Sequence, residues 1–392
     1  MNSSKDDPIK TWEIQASTGR HFDVLDGLRG VAILMVVIYH TFYTNPVNPL
    51  LKFVYGLIES GWIGVPVFFV LSGFLISYPF FQAREKDAGA WYVNGYARRR
   101  LGKIIPPFYL SIVLFIVFYL VVYRDSSYVT EGLAWSIGIQ NFVFFIQRFN
   151  LSYWSLVVEA HFYIVLPLLF LLTRGLKSRQ AAGIIFLVLL IVPAVVRHLT
   201  WPSDPALAAN ARFTGFLMAR FPCVLDYFAW GIVFAGFYVS MAGQREKMRP
   251  AAVLGYAGII LLAATLSLYA KWVWQYGIAG QPRLWSVDFF RWAPSISVFL
   301  MLFFVFNPEC AGARLLSHPW LRFIGIVSYE WFLFHGPIVA WFRDKFGHTN
   351  GNRFLYLEKT VLPLALTFLF SVAVYRWFSL PILNRIRAII KK

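Results

Sequence analysis

Charge is what this chain has least of. Only 14% of its 392 residues are Asp, Glu, Lys or Arg, while 58% are hydrophobic. A soluble protein carries about 25% charge, so the shortage excludes a soluble domain of any size. Cysteine is nearly absent too. Cys223 and Cys310 lack metal-like spacing, which leaves no disulfide framework and no thiolate metal site. No GxxxxGK[ST] or GxGxxG occurs, so no phosphate-cradling glycine loop is expected. No ten-residue alternation marks a membrane barrel. No internal repeat supports an inverted-repeat transporter. Residues 1–19 are polar, without a secretory signal or a small-residue cleavage site after them.

What is present is a series of apolar runs of about twenty residues, the length that crosses a bilayer. They predict an all-α fold, a polytopic transmembrane helix bundle of about ten spans. The spans fall near 25–44, 61–82, 104–123, 153–173, 181–199, 219–240, 251–270, 287–306, 322–342 and 359–379. The stretch 131–147 reads as an interfacial or re-entrant helix. Alternate loops then carry 23 Lys and Arg on the side of the termini against 12 on the other, which predicts both termini cytoplasmic. An even span count agrees. The organisation is a polar cytoplasmic segment 1–19, a transmembrane domain 20–380 and a basic cytoplasmic tail 381–392. The net charge of +17 would point to nucleic acid in a soluble protein. Here basic loops and anionic lipid heads account for it, and no nucleic-acid partner is expected.

The first span, LDGLRGVAILMVVIYH, holds Arg29 and His40. Eleven residues at 100° each return to within about 20° of one face, and at ~1.5 Å per residue they lie ~16 Å apart along the axis. Ionisable groups in a bilayer cost about 2.5 kcal/mol or more, so they face protein or water and mark a site. Arg98, Arg99, Arg100 and Lys103 stand at the cytoplasmic mouth of the third span. They serve either as a topology anchor or as a seat for an anionic cofactor with phosphates, such as coenzyme A. The fourth span opens YWSLVVEAHFY, with Ser155 and Glu159 on one face and His161 pointing elsewhere. Counted from the ends of their spans, His40, Glu159 and His335 fall at a similar depth. A carboxylate beside an imidazole would fix its tautomer and support the imidazolium. Each could instead be a buried polar side chain satisfied by a neighbouring helix. That second reading is favoured for Asp226; His161 and His198 read as interfacial or packing residues. Ser72 with Gly73 fits close helix packing better than a nucleophile, since no GxSxG or SxxK surrounds it. The 15 Trp and 20 Tyr suit interfacial belts, and equally a mouth that stacks on sugars.

Taken in order, LDGLRGVAILMVVIYH, FFVLSGFLIS, RRRLGKIIPPFY, YWSLVVEAHFY and SYEWFLFHGP resemble the integral-membrane acyltransferase family 3, over about residues 20 to 380. That family includes O-antigen, exopolysaccharide and peptidoglycan O-acetylases, nodulation-factor acetylases and macrolide acyltransferases. The resemblance implies that Arg29 and His40 are its signature pair and that Arg100 and Lys103 are its acyl-CoA-side basic pair. Family members usually have Arg at the second place; Lys103 keeps the charge and loses the planar fork. Trp154, Ser155 and Glu159 match its W-S-L-x-x-E element, and Ser328, Tyr329 and His335 its late S-Y-x-x-x-x-x-H element. The implied activity is an O-acyltransferase of the bacterial inner membrane, taking acyl-CoA (acetyl-CoA in the simplest case) and no metal. His40 would be general base or transient acyl carrier, oriented by Glu159, with Arg29 beside them. Arg98, Arg99, Arg100 and Lys103 would bind the donor, and Ser155, Trp154, His335, Tyr329 and Ser72 would support. The acceptor would be a carbohydrate or glycoconjugate, with membrane lipids as the other partners. Some members carry a further extracytoplasmic hydrolase-like domain, for which this chain would need a separate extracytoplasmic transferase or complete transfer alone. Two other classes stay open: a proton-coupled transporter of a glycan or small molecule, and a structural or recruiting membrane protein.

Overall fold

The computed structural model describes residues 22–42, 49–87, 93, 95–138, 149–150, 152–204, 218–276, 284–346 and 360–391. Among the described residues there is no strand. The N-terminal segment 1–19 and most of 131–147 lie outside them.

The helices run α1 Asp23–Thr41, α2 Pro49–Glu59, α3 Gly64–Lys86, α4 Tyr96–Phe118, α5 Ser127–Ser136, α6 Tyr153–Leu172 and α7 Ser178–Thr200. After these come α8 Asp226–Ser240, α9 Val253–Tyr276, α10 Leu284–Met301, α11 Ala311–Leu316, α12 Pro319–Ile326, α13 Ser328–Phe346, α14 Leu362–Val374 and α15 Leu380–Lys391. Among the described residues eight helical stretches are long and apolar enough to cross a membrane, and they cover eight of the ten predicted spans. The ninth, near 322–342, is the pair α12 and α13, bent by 66°. The tenth, near 219–240, contains α8, whose 15 residues reach only about 22 Å, short of a hydrocarbon core of about 30 Å. Large apolar side chains stand on the outside of the bundle: Val121, Ile164, Leu172 and Ile260 are 67–80% exposed. In water such a surface would be costly; the protein is a multi-pass membrane bundle.

Short as it is, α8 lies against α3 and α7 at the centre of the bundle. Its approach to α3 needs small residues: a Cβ on Gly73 would stand 2.2 Å from the Phe228 carbonyl oxygen. Close packing through Gly73 is therefore part of the fold, whereas Ser72 beside it lines the cavity and bonds Glu159. The turns before α8 are held by two arginines. Arg197 Nη1 and Arg291 Nη2 both donate to the Cys223 carbonyl oxygen, at 2.6 and 2.8 Å. Arg197 also pairs with Asp226 at 2.9 Å and with Asp288 at 2.8 Å. Trp292 Nε1 donates to Asp226 at 3.0 Å. Asp226 is thus the buried polar group its sequence context predicts, with Oδ2 bonded by neighbouring elements and Oδ1 3.5 Å from Arg291. The loop count places Arg197 and Arg291 in outer loops, yet they are 0% and 5% exposed, because each has a counter-charge to bury against. Arg84 and Arg322, counted on the cytoplasmic side, are buried as well. Two cations leave each side of the loop count, so its bias keeps its direction.

α1 packs on α3, α12 and α13. Against α12 the backbones nearly touch: a Cβ on Gly30 would stand 2.2 Å from the Leu321 carbonyl oxygen, and one on Gly325 1.8 Å from that of Asp26. Small residues at a helix crossing allow this approach. At the other end the chain is helical in α14 and α15, so residues 381–391 of the predicted tail form a helical extension.

Candidate active site

A cavity opens between α1, α3, α4, α6 and α13, with ≈ 810 Å³ of empty space once the open solvent at its mouth is included. Arg29, Arg100, Lys103, Glu159, Ser72, Ser155, Ser328, Tyr163 and Tyr329 give it polar groups, and Val65, Phe68, Leu71 and Phe332 are among its apolar walls. Arg29 Nη2 donates to Ser328 Oγ at 3.0 Å, and its Nη1 lies 3.6 Å from Asp26. Arg100 Nη2 donates to the Leu75 carbonyl oxygen at 3.0 Å. Each guanidinium has five donors, more than these contacts use. Ser72 Oγ donates to Glu159 Oε1 at 2.8 Å, and Tyr163 lines the same cavity. Tyr329 donates to the Ile104 carbonyl oxygen at 2.8 Å, tying α13 to α4.

The two histidines lie beyond this cavity. His40 Nδ1 is 2.9 Å from the Val36 carbonyl oxygen and 3.1 Å from His335 Nε2. His335 Nδ1 is 3.0 and 2.9 Å from the carbonyl oxygens of Trp331 and Phe332. Carbonyls only accept, so the hydrogen-bond network assigns the proton of both neutral rings to Nδ1. His40 Nε2 is left with its lone pair and can take a proton. Arg29 and His40 therefore do share a face, since both meet α13, at Ser328 and at His335.

A family model described as an acyltransferase domain matches residues 22–376. The chain belongs to this acyltransferase family. Its similarity extends to the peptidoglycan O-acetyltransferase OatA of Listeria monocytogenes, 25% identical over 376 residues, which cover 91% of this chain and 55% of the relative. O-acetyltransferase OatA of Staphylococcus aureus is 23% identical over 385 residues, covering 93% and 57%. The chain thus spans about half the length of the curated relatives it matches. No solved structure matches it.

Within this acyltransferase the structure sorts the predicted site residues. Arg29, Arg100, Lys103, Ser72, Ser155, Glu159 and Tyr329 line one cavity. Arg98 is exposed at the start of α4 and Arg99 half-buried there, and neither lines it. Trp154 is half-buried and packs on the Phe69 ring at 6.0 Å.

Glu159 is not where its span predicts. Asn150 donates to the Leu333 carbonyl oxygen at 3.0 Å, and a Cβ on Gly336 would meet Asn150 and Ser152. The start of α6 is thus level with His335. Glu159 follows Ser152 by seven residues, so it sits ~10 Å further along the axis, beside Arg29 rather than His40. The displacement arises because Phe149, Asn150 and Ser152 are buried, so that α6 begins inside the bundle. The partner of His40 is accordingly His335, and Glu159 is bonded by Ser72. Two further residues belong to the site without standing out in the sequence. Tyr163 follows Glu159 by four residues, a spacing that puts both on one face. Glu330, 3% exposed and within electrostatic reach of Lys103 and Arg29, carries no local signal. Among the described residues no group of three His, Cys, Asp or Glu could hold a metal ion.

Proposed function

We propose that this chain is a membrane-embedded O-acyltransferase, moving an acyl group, acetyl in the simplest case, from cytoplasmic acyl-CoA to a hydroxyl of a carbohydrate or glycoconjugate. The observation that carries this reading is the pairing of a cation-lined, apolar-walled cavity with an imidazole whose Nε2 is free to accept a proton. The donor fits that sequence of groups. Its phosphates suit Arg29, Arg100 and Lys103, since guanidinium groups grip phosphate in paired geometry. Its slender arm suits the apolar walls. The ~16 Å of helix from Arg29 to His40 is comparable to the reach of an extended phosphopantetheine arm, which would bring the thioester to the histidine pair.

There the acceptor hydroxyl gives its proton to His40 Nε2 while its oxygen attacks the thioester carbonyl carbon. The C–S bond breaks, and the departing thiolate takes the proton back from the imidazolium. Positioned proton transfer of this kind is worth about 10²–10⁴ in rate. Glu159, held by Ser72, shapes the donor cavity, and Ser155, Trp154 and Tyr329 support it. The termini lie in the cytoplasm of a bacterial plasma membrane, so the donor enters from the inside and the acceptor from the outside. One relative is named for acetylating peptidoglycan, which makes a cell-wall glycan the first acceptor to try. A separate extracytoplasmic transferase is a further partner where the acceptor lies beyond the bundle.

The test uses detergent-purified protein with acetyl-labelled acetyl-CoA and soluble peptidoglycan fragments. Free CoA and labelled glycan are followed together, wild type beside His40→Ala. Thioester loss coupled to glycan labelling, both abolished in a folded His40→Ala protein, is expected. Normal acetylation by that variant overturns the assignment. Flux of glycan across proteoliposomes without thioester loss would favour transport.

A further inference from the structure

His335 is entirely buried, and its Nδ1–H is already satisfied by the carbonyl oxygens of Trp331 and Phe332. Packing needs no more than that. Yet the ring turns its remaining lone pair, on Nε2, to the Nδ1–H of His40 at 3.1 Å, with ring centroids 5.0 Å apart. His40 shares that proton with the Val36 carbonyl oxygen, so Val36 alone suffices to fix its tautomer. The second acceptor must answer a different need.

We propose that His335 is a positioning residue that holds His40 in its protonated form during transfer. The proposal rests on His40 as the base. When the acceptor O–H bond breaks and the N–H bond forms at His40 Nε2, positive charge spreads over both ring nitrogens. The Nδ1–H then becomes a charge-assisted donor, and such bonds are about twice as strong as neutral ones. His335 Nε2 supplies a lone pair that can answer without rearrangement. His335 itself stays neutral, because a second charge beside an imidazolium is disfavoured, so the pair carries one extra proton at a time. A neutral partner also suits the return step. A carboxylate would form an ion pair and retain the proton, whereas an imidazole lone pair steadies the cation and lets the thiolate recover it. The same geometry accounts for the absence of Glu159 from this step.

The experiment compares wild type, His335→Leu and His335→Gln as full-length protein in detergent, with acetyl-CoA and soluble peptidoglycan fragments. His335→Leu removes the lone pair; Gln offers an amide oxygen near the same place. The expected result is a kcat about 10- to 100-fold lower for Leu, a KM for acetyl-CoA within about twofold, and recovery of at least about half of the logarithmic loss by Gln. Unchanged kcat in Leu, equal loss in both variants, or a KM that moves as much as kcat overturns the proposal. Spectra of 15N-histidine-labelled wild-type protein read the pair without activity. Both rings should be protonated at Nδ1, with a coupling across the bond from His40 Nδ1 to His335 Nε2; a His40 ring protonated at Nε2 overturns it. Absence of His40-dependent thioester loss in the wild type would instead remove the base reading, and the spectra would still decide the contact.

Discussion

Gly325→Ala tests whether the crossing of α1 on α12 positions the site. A Cβ there would stand 1.8 Å from the Asp26 carbonyl oxygen, 2.7 Å from its carbon and 3.1 Å from the Gly30 nitrogen, all backbone atoms that no rotamer can move. Ordinary contact begins at 3.4 Å, so α12 must retreat from α1 by about 1.6 Å, or the crossing must tilt by as much. Ser328 would move with it, since its hydroxyl donates to the Gly325 carbonyl oxygen at 2.7 Å. The Arg29–Ser328 hydrogen bond, now 3.0 Å, survives a stretch of only about half an ångström. Arg29 therefore loses its anchor, and misplacement of about 1 Å can cost about 10²-fold in rate. The prediction is a fall in kcat/KM for acetyl-CoA of about 10²-fold in protein that still inserts and elutes as one species. Gly183→Ala is the control, because a Cβ at Gly183 meets nothing within 4 Å; in helix α7 it should stabilise by up to about 1 kcal/mol. Full thioester turnover by a well-folded Gly325→Ala protein would refute the argument that this contact places Arg29.

Two other predictions separate fold from site. Asp226→Ala should destabilise the bundle by about 3–5 kcal/mol, since Arg197 and Arg291 would be left buried beside a missing carboxylate; denaturant unfolding in mixed micelles reads this, and Arg197→Met with Asp226→Leu should recover much of the loss. Arg100→Leu should raise the KM for acetyl-CoA about 10- to 100-fold, the worth of a charge-assisted hydrogen bond. Exposed Arg98→Leu should stay within about threefold, and equal effects would mean that the four cations act as a diffuse field rather than as a cavity wall.

Span positions are legible in the sequence because an apolar run the length of a bilayer is seldom anything but a membrane helix. The Arg29–His40 face is legible because helical periodicity is rigid over eleven residues, and the structure shows both side chains meeting α13. Depth is not legible. Counting from the end of an apolar run assumes that the run starts at the membrane surface, and α6 starts inside, at the level of His335. Nothing local to YWSLVVEAHFY reports that Asn150 reaches across to Leu333. For the same reason the sequence pairs Glu159 with His40, whereas its partner is Ser72 on α3. Arg197 and Arg291 read as loop cations because a cation's sequence neighbours do not reveal a carboxylate on another helix.

The buried charges of this protein can be told apart by how they are satisfied. Asp226 lies between Arg197 and Arg291, takes the Trp292 N–H, and has opposite charges at 2.9 and 3.5 Å. Such a cluster has settled its desolvation internally, and a ligand entering it would have to break ion pairs to bind. Arg100 is anchored instead by a carbonyl, which orients a guanidinium without neutralising it, and Arg29 by a hydroxyl, with the Asp26 carboxylate 3.6 Å from its other nitrogen. They face a cavity, and the charge they keep is available to an anion. The histidine pair follows the same logic one stage further along the bundle. Its anchors are carbonyls and a neutral lone pair, and none of them ties up His40 Nε2. In a membrane, where every unpaired charge is costly, a group that is held but not neutralised is maintained for something that arrives later. Arg100 and His40 meet that description, Arg29 meets it in part, with Asp26 at 3.6 Å, and Asp226 does not.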